Sequence, residues 1–303
     1  PALIPMIPSL LFPKDGCAML SIDASAIVIF AIVVVLVPVL GNVFFKPARM
    51  KDPPQLRRDD ETLDAFHHGR VRVLQKKKGY RFSVDAPLLA DFLRTRESDE
   101  ILEIGAGSGI ISLLLGARPF RRVTALEIQP ELADLARRNV ALNGLESRIE
   151  VVEADFRTYE PGRTFDLVFS NPPWIRKSSG FLSRSAEKSA AKHELHGGIE
   201  EVMDRTAAWL APGGRASFVY PEKRRADFAR AADARGFFVI RFRHVLPRAG
   251  EPPNLFLVEL GLVAGEGSGP ASERADPEIM PPLVLFGPDG KYTAAAEAVF
   301  SGS

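Results

Sequence analysis

Four consecutive residues, Asn171-Pro172-Pro173-Trp174, end a run of strand-forming residues, FDLVFS (165–170). Neither proline has a backbone N–H, so Pro172 and Pro173 cannot extend a buried ladder. The string supplies a side-chain amide, a stiff backbone and a large aromatic face. Two readings follow: a rigid turn, or a site that grips a flat substrate. Upstream, the line EIGAGSG brings Gly105, Gly107 and Gly109 together where a strand turns into a helix. Glycines there permit positive φ and let the backbone approach a ligand, while the helix N-terminus offers N–H groups to an anion. The next strand ends at Glu127, placed to accept hydrogen bonds from both hydroxyls of a ribose. Loop and acid together point to a nucleoside ligand.

The elements that must position these residues read as an alternation. From about residue 97, short apolar runs alternate with amphipathic helical stretches, the pattern of a parallel sheet covered by helices. EILEIG, RVTALEI, RIEVVEAD, FDLVFS and RASFVY read as five strands in chain order, and FFVIRFRHV and NLFLVELGLV as two more. Between them, PELADLARRNVALNG has Pro130 at its first helical position and Gly144 closing it. A helix is expected over residues 199–210 and another over PEKRRADFARAADARG. Beyond Ala264, GEGSGPASERADPEIMPP (265–282) is rich in Gly, Ser, Pro and charge and reads as a loop or linker, followed by a short hairpin-like element, PLVLFGPDGKYT.

The glycine spacing is not that of the dinucleotide fingerprint, since Ile110 occupies its third glycine position. EIGAGSG instead resembles the first motif of the class I S-adenosylmethionine-dependent methyltransferases. That resemblance implies a Rossmann-like seven-stranded sheet, mostly parallel with an antiparallel last strand and helices on both faces. It implies S-adenosyl-L-methionine as cofactor, with Glu103 and the glycines around its methionine part and Glu127 on its ribose. Asp155 is then expected near the adenine amino group and Phe156 beside the ring. In this frame the Asn171 side-chain oxygen and the Pro172 carbonyl can accept both N–H bonds of a planar amine. Its lone pair then faces the methyl donor, with Pro173 stiffening the turn and Trp174 stacking on the substrate. Positioning and electrostatics supply most of such catalysis. The combination resembles enzymes that methylate adenine N6, guanine N2 or the glutamine of release factors.

LQKKKGYRFSVDAPLLADFL (74–93) narrows the choice, because it resembles the opening motif of the bacterial tRNA1(Val) (adenine(37)-N6)-methyltransferase family. AKHEL (191–195) and PPLVLFGPDGKYT resemble further features of it. The match implies a tRNA substrate, and roles for Tyr80, Phe82, Ser83 and Asp85 in closing the cofactor pocket. A plain helix start, with Ser83 as cap and APLLADFL as a buried face, fits the same residues. His193 and Glu194 receive no chemical role, and His67-His68 reads as a surface pair. Candidate phosphate-binding groups are Lys76, Lys77, Lys78 and Arg81; Arg176 and Lys177; and Arg184, Lys188 and Lys192. Lys223, Arg224 and Arg225 read better as a solvated helix face. A release-factor enzyme and a membrane-tethered binding protein on the same scaffold are the rival readings.

Composition adds limits. Net charge is +1 among 303 residues, so any nucleic-acid contact must come from local patches. The lone Cys17 excludes an internal disulfide and a cysteine-rich metal site, and no metal is expected. Residues 24–45 carry no charge, span a bilayer's width and are followed by Lys46, Arg49 and Lys51. They read either as a membrane anchor with the enzyme on the cytoplasmic side, or as sequence upstream of a start at Met50. The expected organisation is thus an apolar segment 1–50, a methyltransferase domain 51–263, and a linker and tail over 264–303.

Overall fold

The structure, a computed structural model, describes residues 56–79, 81–172, 198–263 and 276–302. It opens with an antiparallel hairpin of β1 (Glu61–Phe66) and β2 (Val71–Lys76). Helix α1 (Asp85–Phe92) leads into β3 (Glu100–Ile104), α2 (Ile110–Leu115), β4 (Arg122–Glu127), α3 (Pro130–Leu142), β5 (Ile149–Glu153) and β6 (Phe165–Ser170). Then come α4 (Ile199–Trp209), β7 (Leu210–Pro221), a 3-10 turn (Glu222–Arg224), α5 (Arg225–Asp233), β8 (Phe237–Arg248) and β9 (Leu255–Leu262). The chain closes with β10 (Glu278–Ile279), β11 (Leu283–Phe286) and α6 (Ala294–Ser301).

Seven strands lie in the order β5-β4-β3-β6-β7-β9-β8, all parallel except β9, which runs antiparallel to both of its neighbours. This is the architecture that the resemblance implied. Two short additions, β10 and β11, pair in parallel with β8 and widen the sheet at that edge. Phe286 bridges back to Tyr292, which gives the expected hairpin-like turn. The helix beyond it, α6, has no counterpart among the expected elements. Thr293 caps it by accepting from the Ala296 N–H at 3.2 Å.

Apolar layers cover both faces of the sheet. On one, Ile101 of β3 and Leu167 and Phe169 of β6 pack with α1, α2 and α6. On the other, Leu102, Ile104 and Val168 pack with α4 and α5. Both sides of β3 and β6 are therefore dry, as expected for central parallel strands. Segment 211–214, which lies between the expected helix and the expected strand RASFVY, is absorbed into β7. Its register skips from Phe165↔Leu210 to Leu167↔Arg215, and Gly213 takes φ 74°.

The hairpin is attached by an uncommon device. Arg72 and Leu74 point their outer backbone groups away from β1, leaving an open strand edge. Asn139 on α3 and Asn143, one turn later at its C-cap, fill it with side-chain amides. The Leu74 N–H donates to Asn139 Oδ1 at 2.7 Å, and Asn139 Nδ2 returns a bond to the Leu74 carbonyl at 3.1 Å. Asn143 repeats the exchange with Arg72 at 2.9 and 2.7 Å. Asn139 Nδ2 also reaches the Ser108 carbonyl of the glycine loop at 2.9 Å. Asn139 is fully buried, so its loss strands three backbone groups without water. Asn139→Ala should destabilise the fold by about 2–4 kcal/mol. A urea midpoint equal to wild type would show that the clamp contributes nothing.

Candidate active site

The parallel sheet has its switch point between β3 and β6, from which successive crossovers leave in opposite directions. Open α/β sheets bind ligands outside the carboxyl ends of the strands at that crevice. Here the Ser170 hydroxyl donates to the Ile104 carbonyl at 2.8 Å and ties the two strand ends together. A cleft opens above them. Its walls are Gly105 and Gly107 after β3, Leu126 and Glu127 ending β4, and Ala154, Asp155 and Phe156 after β5. Ser170, Asn171 and Pro172 supply the β6 side, and Arg81, Phe82, Ser83 and Asp85 close it from the segment entering α1.

The glycine loop folds around the end of β4. Gly105 and Ala106 both donate N–H bonds to the Leu126 carbonyl, at 3.0 and 2.8 Å. Gly105, Gly107 and Gly109 have φ of 76°, 58° and 81°, which suits residues without a Cβ. Gly109 does not reach the cleft. It caps α2, where a Cβ would stand 3.3 Å from that of Ala136 on α3, so its smallness serves helix packing.

Glu127 is buried at the cleft edge and accepts from the Gly107 N–H at 2.7 Å and the Gln129 N–H at 2.8 Å. Burial still pushes its carboxyl above the ordinary range. A carboxylate offers about four lone-pair sites, so these two bonds leave capacity for ligand hydroxyls. Asp155 reaches the cleft in a salt bridge with Arg157, Oδ2 to Nη2 at 2.5 Å, a partner that sequence reasoning missed. Phe156 is buried beside it. Phe82 leans on Phe66 of the hairpin at 5.2 Å between ring centroids, so β1 backs the closing segment.

Asn171 stands half-buried at the end of β6, and Pro172 beside it is buried. Asn171 Nδ2 donates to Asp85 Oδ2 at 2.8 Å, while the Ser83 hydroxyl donates to the other Asp85 oxygen. Ser83 is therefore not the helix cap: Val84 holds that position, without a side-chain bond. The alternative of a buried helical face is met as well, since Ala86, Pro87, Leu88, Leu89, Ala90 and Phe92 are all buried. Tyr80, Pro173, Trp174, His193 and Glu194 lie outside the described residues, as do Arg176, Lys177, Arg184, Lys188 and Lys192. Of the histidine pair at the hairpin tip, His68 is exposed and His67 half-buried, with backbone φ of 55° and 49°.

The basic stretch before the cleft is balanced in part, at Lys76 and Arg81, while Lys77 donates to the Asp59 carbonyl and Lys78 is exposed. Lys76 pairs with Asp60 at 2.9 Å and Glu61 at 3.2 Å, and Arg81 with Asp64 at 2.9 Å. Acidic residues of β1 and its approach thus neutralise part of what the sequence presents as a positive patch. On the far helix face Arg224 pairs with Asp227 and Arg225 with Glu222, in keeping with a solvated surface. Among the described residues no group of His, Cys, Asp and Glu is placed to hold a metal ion, and no helix is long and apolar enough to cross a membrane. Residues 24–45 lie outside that search.

Glu103, expected at the cofactor, sits one layer behind the cleft. It is buried inside β3, with the Ser112 hydroxyl of α2 donating to its carboxyl. Burial, with a smaller push from Glu127, raises its pKa from 4.5 to about 8, so the group is protonated at neutral pH. The native state then holds a proton that the unfolded chain releases, so its contribution falls as pH rises from 4.5 through about 8. Glu103→Gln is neutral and nearly isosteric. Its stability advantage over wild type should grow from about pH 5 to pH 8 in urea titrations, and a pH-independent difference would refute the buried acid.

The family described as "Methyltransferase small domain" matches residues 80–227. A curated relative from Aliivibrio fischeri, named tRNA1(Val) (adenine(37)-N6)-methyltransferase, is 30% identical over 61% of this chain and 78% of its own length. A relative of the same name from Vibrio cholerae is 31% identical over 65% and 82%. Among solved structures, a predicted O-methyltransferase from Agrobacterium tumefaciens aligns with a TM-score of 0.53 at 24% identity, covering 72% of this chain and 96% of that one, which supports the fold. By these relatives the chain belongs to the tRNA1(Val) (adenine(37)-N6)-methyltransferase family and is an S-adenosylmethionine-dependent N-methyltransferase.

Proposed function

We propose that this enzyme methylates the exocyclic N6 amine of an adenine in tRNA, the adenine at position 37 as in the names of its relatives. The observation that supports the reading is that Asn171 and Pro172, which carry the two acceptors it needs, line the cleft at the switch point beside the glycine loop. S-adenosylmethionine supplies an electrophilic methyl group on a sulfonium. Glu127 would accept from the ribose hydroxyls, and Asp155 and Phe156 would hold the adenine end. The glycine loop, with Gly105 exposed and Gly107 buried beside it, would lie against the methionine part.

The chain's own contribution is positional. Asn171 and Pro172 each accept one N–H of the target amine, which takes the lone pair out of conjugation and aims it across the cleft. Pro173 and Trp174 stiffen and stack. No general base is needed, because the methylated amine loses its proton to water after transfer. Cleft carboxylates also suit a cationic cofactor: Asp85, Glu127 and Asp155 line it, Arg81 at its rim is already paired with Asp64, and Arg157, outside the lining, pairs with Asp155. The release-factor alternative usually places a helical domain before the glycine loop. Among the described residues that place holds a two-stranded hairpin and the single helix α1. Of the domain boundaries, 51–263 with the tail over 264–303 is the working division, and a membrane anchor over 24–45 is a separate question for the native N-terminus.

Purified protein with labelled S-adenosylmethionine, offered total tRNA and release factor separately, should label tRNA. Label in release factor alone would overturn the assignment. Asn171→Ala should lower turnover by about 100-fold or more while leaving S-adenosylhomocysteine affinity within about threefold. Glu127→Gln should do the reverse, weakening that affinity by about 10- to 100-fold in calorimetry. Unchanged binding in the Glu127 variant would remove the ribose from that carboxylate.

A further inference from the structure

We propose that Asp85 is a positioning residue that fixes which end of the Asn171 amide faces the cleft, and so selects an amine over a carbonyl at the substrate's reacting edge. The inference rests on the reading of Asn171 given above and adds a second residue to it. An asparagine amide is nearly symmetric in shape, and its two ends do opposite chemistry: the oxygen accepts and the nitrogen donates. Something in the protein must choose. Asp85 Oδ2 accepts from Asn171 Nδ2 at 2.8 Å, which commits the NH2 end to that side and turns Oδ1 the other way. Asp85 is itself constrained. It is 6% exposed at the first turn of α1, and the Ser83 hydroxyl occupies its other oxygen. All three residues line the cleft.

Charge adds to orientation. As the amine lone pair forms its bond to the methyl carbon, the carbon–sulfur bond breaks and its electron pair stays on sulfur. The amine nitrogen gains positive charge until it releases a proton to water. A buried carboxylate hydrogen-bonded behind the amide raises the electron density on Asn171 Oδ1 in step with that charge. Asp85 therefore acts on the reacting nitrogen through Asn171, without touching it.

The test uses Asp85→Asn and Asp85→Ala in the full chain, with tRNA and S-adenosylmethionine saturating. Turnover should fall in the order wild type, Asp85→Asn, Asp85→Ala, with the alanine variant down about 10- to 100-fold, the worth of one hydrogen bond to a charged group. S-adenosylhomocysteine affinity should stay within about threefold, which also reports folding. A second readout separates positioning from mere support. An anticodon stem-loop bearing hypoxanthine in place of the target adenine presents a carbonyl where the amine would be. Wild type should bind the adenine stem-loop more tightly than the hypoxanthine one, and Asp85→Ala should narrow that difference in affinity by about tenfold, since the freed amide can turn its NH2 to the carbonyl. Both variants turning over within twofold of wild type with the base preference intact, while Asn171→Ala is inactive, would overturn the proposal and leave the function standing. An active Asn171→Ala would remove both together.

Discussion

The cleft exists because the chain leaves β3 in two directions. Sequence-adjacent strands β4 and β5 build outward on one side, and β6 and β7 on the other, so no crossover covers the ends of β3 and β6. Everything chemical about the molecule hangs on that gap. The glycine loop, Asn171 and the acid ending β4 come from segments far apart in sequence, yet each simply sits where a parallel strand stops. Register does the rest: Ile104 pairs with Ser170 and with Leu126, so the three strand ends are level and their following residues meet at one height. A slip of one residue in β6 would move Asn171 out of reach of Asp85.

Strands and helices with strong local signals are legible in the sequence by itself. Pro130 and Gly144 bracket α3 closely, and the seven-strand alternation needs no partner to be read. The hairpin is harder to see. Its strands hold Val71, Val73 and Leu74 buried, but Leu74 belongs to the opposite phase from Val71 and Val73, since it packs against α3 while the valines join the main core. A strand buried on both sides gives up the alternation by which edge hairpins are recognised.

Site residues divide in the same way. Glu127 and Asp155 follow from strand ends, which local pattern locates. Glu103 is misplaced by sequence because β3 is dry on both faces: inside such a strand, parity does not say whether a side chain meets ligand or core. The Asp85–Asn171 bond spans 86 residues, and the pairing of Lys76 and Arg81 with acids of β1 needs the hairpin register. Each is a long-range match between polar groups, and single-sequence patterns contain only the members and not the match. A run of lysines and arginines therefore overstates the local field.

Asn139 joins two segments through one side chain: the edge of β2 and the glycine loop at Ser108. Such a shared residue makes their orders interdependent. A ligand that holds the glycine loop in place lowers the entropy left to Asn139, and by reciprocity a well-seated hairpin prepares the loop for that ligand. The hairpin carries Phe66 against Phe82 at the cleft rim, so the same coupling continues to the segment that closes over the site. One buried amide thus connects the cofactor loop to the hairpin that backs the cleft rim.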